Sequence, residues 1–104
     1  MKHLRLKFSI LPLYIMIAIS VYANKFNVDG ISYSINSDEK SVTVISGGAY
    51  SGDLIIPSEV SNDQLSYVVT AIGNSAFLDC STLSSVAMPN TITYIGYCAF
   101  GGCI

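Results

Sequence analysis

The chain has 104 residues, five basic and seven acidic, with a formal net charge of −2 and 51% apolar composition. A surface that binds a phosphate backbone needs clustered Lys and Arg, so this balance excludes nucleic acid as a partner, and anionic lipid with it. The length fits one small domain, near the lower limit for a self-sufficient core.

Residues 1–23 read as an export signal. Lys2, Arg5 and Lys7 give a positive start, residues 8–20 form a mostly apolar run without charge, and Val21 and Ala23 put small residues where a signal peptidase cuts. The competing reading is an uncleaved membrane anchor. Residues 8–23 fall short of the roughly 20 apolar residues a spanning helix needs, and Pro12 interrupts them. Cleavage between Ala23 and Asn24 leaves Lys25 and Lys40 against seven carboxylates and removes every Arg and the single His.

The next stretch reads as β-structure. "KFNVDGISYSI" alternates apolar and polar residues around Asp29-Gly30, a strong two-residue hairpin signal, because a type I′ turn needs positive φ at both positions. "NSDEK" supplies a polar turn. "SVTVIS" alternates again, with Val42 and Val44 on one side and Thr43 and Ile45 on the other. "GGAYSGD" reads as a loop and "LIIP" as a short strand closed by Pro57. "SEVSNDQL" is polar and loop-like, and "SYVVTAIG" is a strand.

A shift of 23 residues then superposes the chain on itself. "AIGNSAFLDC", residues 71–80, nearly recurs as "YIGYCAFGGC", residues 94–103. Ile72 meets Ile95, Gly73 meets Gly96, Ala76 meets Ala99, Phe77 meets Phe100 and Cys80 meets Cys103. The retained set is apolar or small, while pairs such as Asn74/Tyr97 and Leu78/Gly101 vary. A solenoid behaves in this way, because each coil buries its inward side chains only when a neighbour stacks on it. In each coil a short strand ends at a glycine that turns the chain, with positive φ expected there. "NSAF" and "YCAF" then form a tight or single helical turn that drives the Phe inward. "LSSVAMP" is a second strand, with Leu83, Val86 and Met88 facing inside.

The stretch "VVTAIGNSAFLDCSTLSSVAMPNTITYIGYCAFGGC" closely resembles the BspA-type leucine-rich repeats of bacterial surface proteins: "IG", "AF", the Cys, Leu83 and "MP" are all present. "FNVDGISYSI" and "YSGDLIIPSEV" resemble the N-terminal cap and degenerate first coil that precede such arrays. The resemblance implies a mostly β fold, an N-terminal β-hairpin cap followed by a short solenoid of one full 23-residue coil and a partial one. Together with the export signal, the chain then divides into a signal peptide (1–23), a β-rich cap and first coil (24–67) and the repeats (68–104). The repeat core it implies is Ile72, Gly73, Ala76, Phe77, Cys80, Leu83, Val86, Ile95, Gly96, Ala99, Phe100 and Cys103.

Little else carries chemistry. Three cysteines without His make no zinc pattern, and each reads better as a small buried side chain at a corner. Stacked coils lie about 4.8 Å apart, which puts Cys80 and Cys103 within disulfide range in an exported protein. Asp38 and Glu39 read as a solvated turn. A Ser or Cys nucleophile wants a nearby base, and the processed chain has no His, so neither an enzyme nor a cofactor or small-molecule substrate is expected. The tyrosines are mostly half-buried strand residues, with some available for recognition.

The sequence therefore predicts a secreted or surface-displayed binding module, for adhesion or recognition of a host extracellular-matrix or envelope protein. The alternative is a piece of a longer array with a structural role. The apolar last coil also predicts self-association. On export, the mature N-terminus should begin Asn-Lys-Phe at Asn24, which intact mass of the secreted form checks; a mass retaining residues 1–23 would contradict the signal reading.

Overall fold

The computed structural model describes residues 24–102. The signal segment with Ala23 lies outside the described residues, and so does Cys103, with the disulfide alternative to Cys80. Those described form eight strands and no helix: β1 (Lys25–Val28), β2 (Ile31–Ile35), β3 (Ser41–Ile45), β4 (Gly52–Ile55), β5 (Glu59–Asn62), β6 (Leu65–Ile72), β7 (Leu83–Ala87) and β8 (Tyr94–Ile95).

The expected first hairpin forms. Val28 pairs with Ile31 across Asp29 (φ 52°) and Gly30 (φ 85°), the left-handed pair a two-residue turn needs. The turn after β2 is held by Asp38, whose carboxylate accepts the Lys40 and Ser41 N–H groups at 2.9 and 3.0 Å. These two backbone bonds, Lys40 first, hold the Asp38 carboxyl below its ordinary pKa.

From β3 onward the chain winds. It passes from β3 to β4, returns to β6, crosses to β7 and returns to β8. β3, β6 and β8 run parallel in one sheet, and β4 and β7 run parallel in another. Ala71 pairs with Tyr94 and Ile72 with Ile95, so the sequence shift of 23 is the ladder register itself. β5 and β8 divide the remaining partners of β6: β5 takes Leu65–Val68, and β8 is left with Ala71 and Ile72.

Two strand expectations change. The polar stretch at 58–65 is not a loop, because Glu59–Asn62 forms β5, antiparallel to β6, with Val60 buried. Its hairpin closes through Asp63 (φ 52°) and Gln64 (φ 67°), a left-handed pair without a glycine to announce it. The strand expected at "LIIP" forms two residues earlier, at Gly52–Ile55.

The inner faces of both sheets enclose one core of Tyr33, Val42, Val44, Val69, Ile72 and Phe77, all fully buried. One ring per winding forms its spine. Tyr50 meets Phe77 edge-on at 4.7 Å between centroids, and Phe77 stacks on Phe100 at 5.2 Å and 18°. Such pairs add roughly 0.5–1.5 kcal/mol to simple burial. Ala49-Tyr50 thus stands where Ala76-Phe77 and Ala99-Phe100 stand later. Burial raises the pKa of Tyr50, and of Tyr33 to about 12, so both hydroxyls are neutral at physiological pH.

The turns stack as closely as the strands. Ser75, Phe77 and Asp79 donate their N–H groups to the carbonyls of Tyr97, Ala99 and Gly101 at 3.1, 2.8 and 2.7 Å. Left-handed backbone recurs with the same period, at Ser75 (φ 57°) and Cys98 (φ 53°), then at Asp79 (φ 59°) and Gly102 (φ 73°). Gly73 and Gly96 are not among the positive-φ residues, contrary to expectation. They are glycines because backbones meet there. A Cβ on Gly73 would lie 3.1 Å from the Val44 carbonyl oxygen. One on Gly96 would overlap the Asn74 side chain and lie 2.7 Å from the Gly73 carbonyl carbon.

Two outcomes test this stacking. Phe77→Ala should cost roughly 3–5 kcal/mol and Phe100→Ala less, since Phe100 is only partly buried; chemical denaturation gives the ranking, and equal small effects would contradict a stacked core. Gly96→Ala should cost about 1–3 kcal/mol through overpacking, measured the same way; a neutral or stabilising change would contradict the backbone contact.

Candidate interaction surfaces

Of the twelve positions expected to build the repeat core, eleven lie among the described residues. Ile72, Ala76, Phe77, Gly96 and Ala99 are buried. Cys80, Leu83, Val86 and Phe100 are partly buried against the core, and Gly73 has intermediate exposure. Ile95 is 48% exposed, outside the core but in line with the apolar last coil the sequence predicts. It has the ladder position of Ile72, but no described strand pairs with β8 on its far side. Met88 is likewise exposed, because β7 ends at Ala87 and the chain leaves the sheet there. Cys103 lies outside the described residues.

Asn74 is the position that pattern reading missed. It differs from its repeat partner Tyr97 and so resembles a free surface residue. In the fold its Oδ1 accepts the Tyr97 N–H at 3.0 Å, tying one turn to the next. A related bond joins the strands, where the Thr70 carbonyl accepts the Thr93 N–H at 2.8 Å.

Three surfaces remain after the core is assigned. The first is the outer face of the large sheet, which carries short hydroxyls held in a network. Thr43 Oγ1 donates to Asn36 Oδ1 at 2.7 Å, while Asn36 Nδ2 donates to Ser41 Oγ at 2.8 Å and Thr70 Oγ1 at 3.3 Å. Beside it lies a groove of about 690 Å³ lined by Lys25, Phe26, Asn27, Ser32, Ile45 and Asn74 among others. These hydroxyls satisfy one another, so the face is structural before it is functional.

The second surface is the end of the ladder at β8. Tyr94 is 58% exposed and Tyr97 72%, with Ile95 between them. Tyr33, Tyr50 and Tyr67 are buried, so the described tyrosines split into core and surface sets. The Tyr50 hydroxyl is fully used: it donates to the Ile45 carbonyl at 2.6 Å and accepts from the Ser32 N–H at 3.1 Å. The third is a groove of about 590 Å³ between the first hairpin and β4–β5, lined by Asp29, Asp53 and Glu59 over an apolar floor. Among the described residues, no group of three His, Cys, Asp or Glu side chains is arranged to hold a metal ion.

Comparison with known proteins agrees with this winding. Residues 57–104 match the family described as BspA type leucine rich repeat region (6 copies). No curated protein matches the chain. Among solved structures, a leucine rich cell surface protein of Faecalibacterium prausnitzii is similar at 28% identity and TM-score 0.68, over 76% of this chain and 21% of its own. A leucine-rich repeat protein of Bacteroides capillosus is similar at 27% identity and TM-score 0.68, over 77% of this chain and 59% of its own. One from Bacteroides ovatus is similar at 29% identity and TM-score 0.66, over 75% of this chain and 21% of its own. The chain thus spans from a fifth to three fifths of the length of these structures. The 23-residue ladder register and the stacked pair Phe77 and Phe100 agree with that match, and residues 57–104 are leucine-rich repeats of the BspA type.

Proposed function

We propose that the chain is an exported, surface-displayed module for protein recognition, acting in adhesion to a host matrix or envelope protein, without catalytic activity. In this reading residues 1–23 are the signal, residues 24–67 supply the hairpin cap and first coil, and residues 68–104 supply the repeats. The observation that carries it is the pair Tyr94 and Tyr97, which stand in solvent while the other described tyrosines are buried. Tyr offers a large amphipathic contact area at low entropic cost and is enriched at binding hot spots. Similarity to a cell surface protein of the same repeat class supports the location.

A second reading rests on the same exposed end. Tyr94, Ile95 and Tyr97 are also the surface on which a further coil, or a second copy of the chain, would stack, as in a longer array.

Immobilised protein should retain a defined partner from an extracellular-matrix and envelope-protein panel. Tyr94→Ser with Tyr97→Ser should weaken that capture at least tenfold, the loss of a hot spot worth over 1 kcal/mol, with the denaturation midpoint unchanged. Undiminished capture by the double variant would remove the tyrosines from the site, and no retained partner would favour the array reading.

A further inference from the structure

We propose that the free edge of β4 is a strand-addition site for an extended basic segment of a partner protein. Gly52 and Ile56 donate their N–H groups to the Thr82 and Ala87 carbonyls on the β7 side. Peptide groups alternate along a strand, so those of Asp53 and Ile55 face the other way. No described strand pairs with β4 there. An unpaired edge of this kind is a template for an incoming strand.

The neighbouring groove defines the occupant. Leu54, Ile55 and Val60 give it an apolar lining, and Asp29, Asp53 and Glu59 add three carboxylates. No Lys, Arg or His lines it. One oxygen of Asp53 accepts the Ser85 hydroxyl at 2.8 Å, which fixes that carboxylate beside the edge. An edge protected only against pairing would present polar side chains outward, whereas Ile55 is 74% exposed. Alternating apolar and basic residues on an added strand would meet both features. Alternation puts its apolar side chains on one face and its cations on the other: the apolar face would lie with Leu54 over the groove, and the cations on the face shared by Asp53 and Ile55, their stems against Ile55 and their ammonium groups toward Asp53, with Glu59 and Asp29 adding to the attraction. The edge belongs to the first strand of its ladder and Tyr94 to the last of the other, so the proposal is separate from the role of the tyrosines.

The test uses the full chain and a fluorophore-labelled, end-capped peptide of sequence Lys-Val-Lys-Val-Lys-Val, followed by fluorescence anisotropy. Saturable binding is expected, weakening as salt is raised. The Glu-Val counterpart should bind at least tenfold more weakly, and backbone N-methylation at alternate residues should abolish binding. Asp53→Asn with Glu59→Gln should weaken the Lys-Val peptide at least tenfold at an unchanged denaturation midpoint, and Asp38→Asn, in a turn away from the groove, should have no effect. Equal binding of the N-methylated or the Glu-Val peptide would overturn the proposal. So would dimerisation of the chain that Ile55→Lys abolishes, since the occupant would then be a second copy. Absent peptide binding with partner capture intact would refute the edge site and leave the recognition reading standing.

Discussion

The stacking of one turn on the next depends on one aromatic ring per winding being covered by the ring of its neighbour. Phe77 lies between Tyr50 and Phe100, and the two contacts, one edge-on and one stacked, fix where each turn sits over its neighbour. Once the turns are aligned, their backbones hydrogen-bond directly: three N–H groups of 75–79 reach three carbonyls of 97–101. Such close approach demands glycine where backbone crosses backbone, which is the role of Gly73 and Gly96. It also tolerates left-handed backbone at Ser75, Cys98 and Asp79, a conformation costing roughly 1–2 kcal/mol per residue in isolation. The stacked turns hold these residues where local preference alone would not.

The division between legible and hidden features follows from this physics. Period-23 recurrence was legible because packing residues must repeat when their surroundings repeat, and the ladder pairs Ile72 with Ile95 accordingly. The first hairpin was legible because Asp29-Gly30 advertises its φ requirement. β5 was hidden for the converse reason: its turn uses Asp63-Gln64, and only Val60 among its residues is buried, so polar composition masked a paired strand. Ala49-Tyr50 escaped the repeat comparison because the spacing from Tyr50 to Phe77 is not that from Phe77 to Phe100. The exposure of Met88 was not legible, since a strand pattern does not reveal where pairing stops, whereas that of Ile95 agrees with the apolar last coil expected from the sequence.

Surface function is where sequence reading reached least. A repeat pattern records what the core requires, and the residues left free to vary are the ones that meet partners. Asn74 shows that variation is not freedom, as it bonds the next turn while its counterpart does not keep its identity. Tyr94, Tyr97 and the carboxylates beside β4 are distinguished only when the fold divides buried from exposed. The two ends of the winding then offer different chemistry: an aromatic, nearly uncharged end at β8 and an acidic, apolar-floored edge at β4.

The claim that ring stacking holds the turns together is tested most directly by native-state amide hydrogen exchange on the wild type and Phe100→Ala. Local openings report the free energy of the unit that opens. The amides of Ser75, Phe77 and Asp79, which donate to the turn bearing Phe100, should lose protection together in the variant, while those of β2 and β3 keep theirs. Unchanged protection at those three amides, or a uniform loss across all strands, would contradict the account.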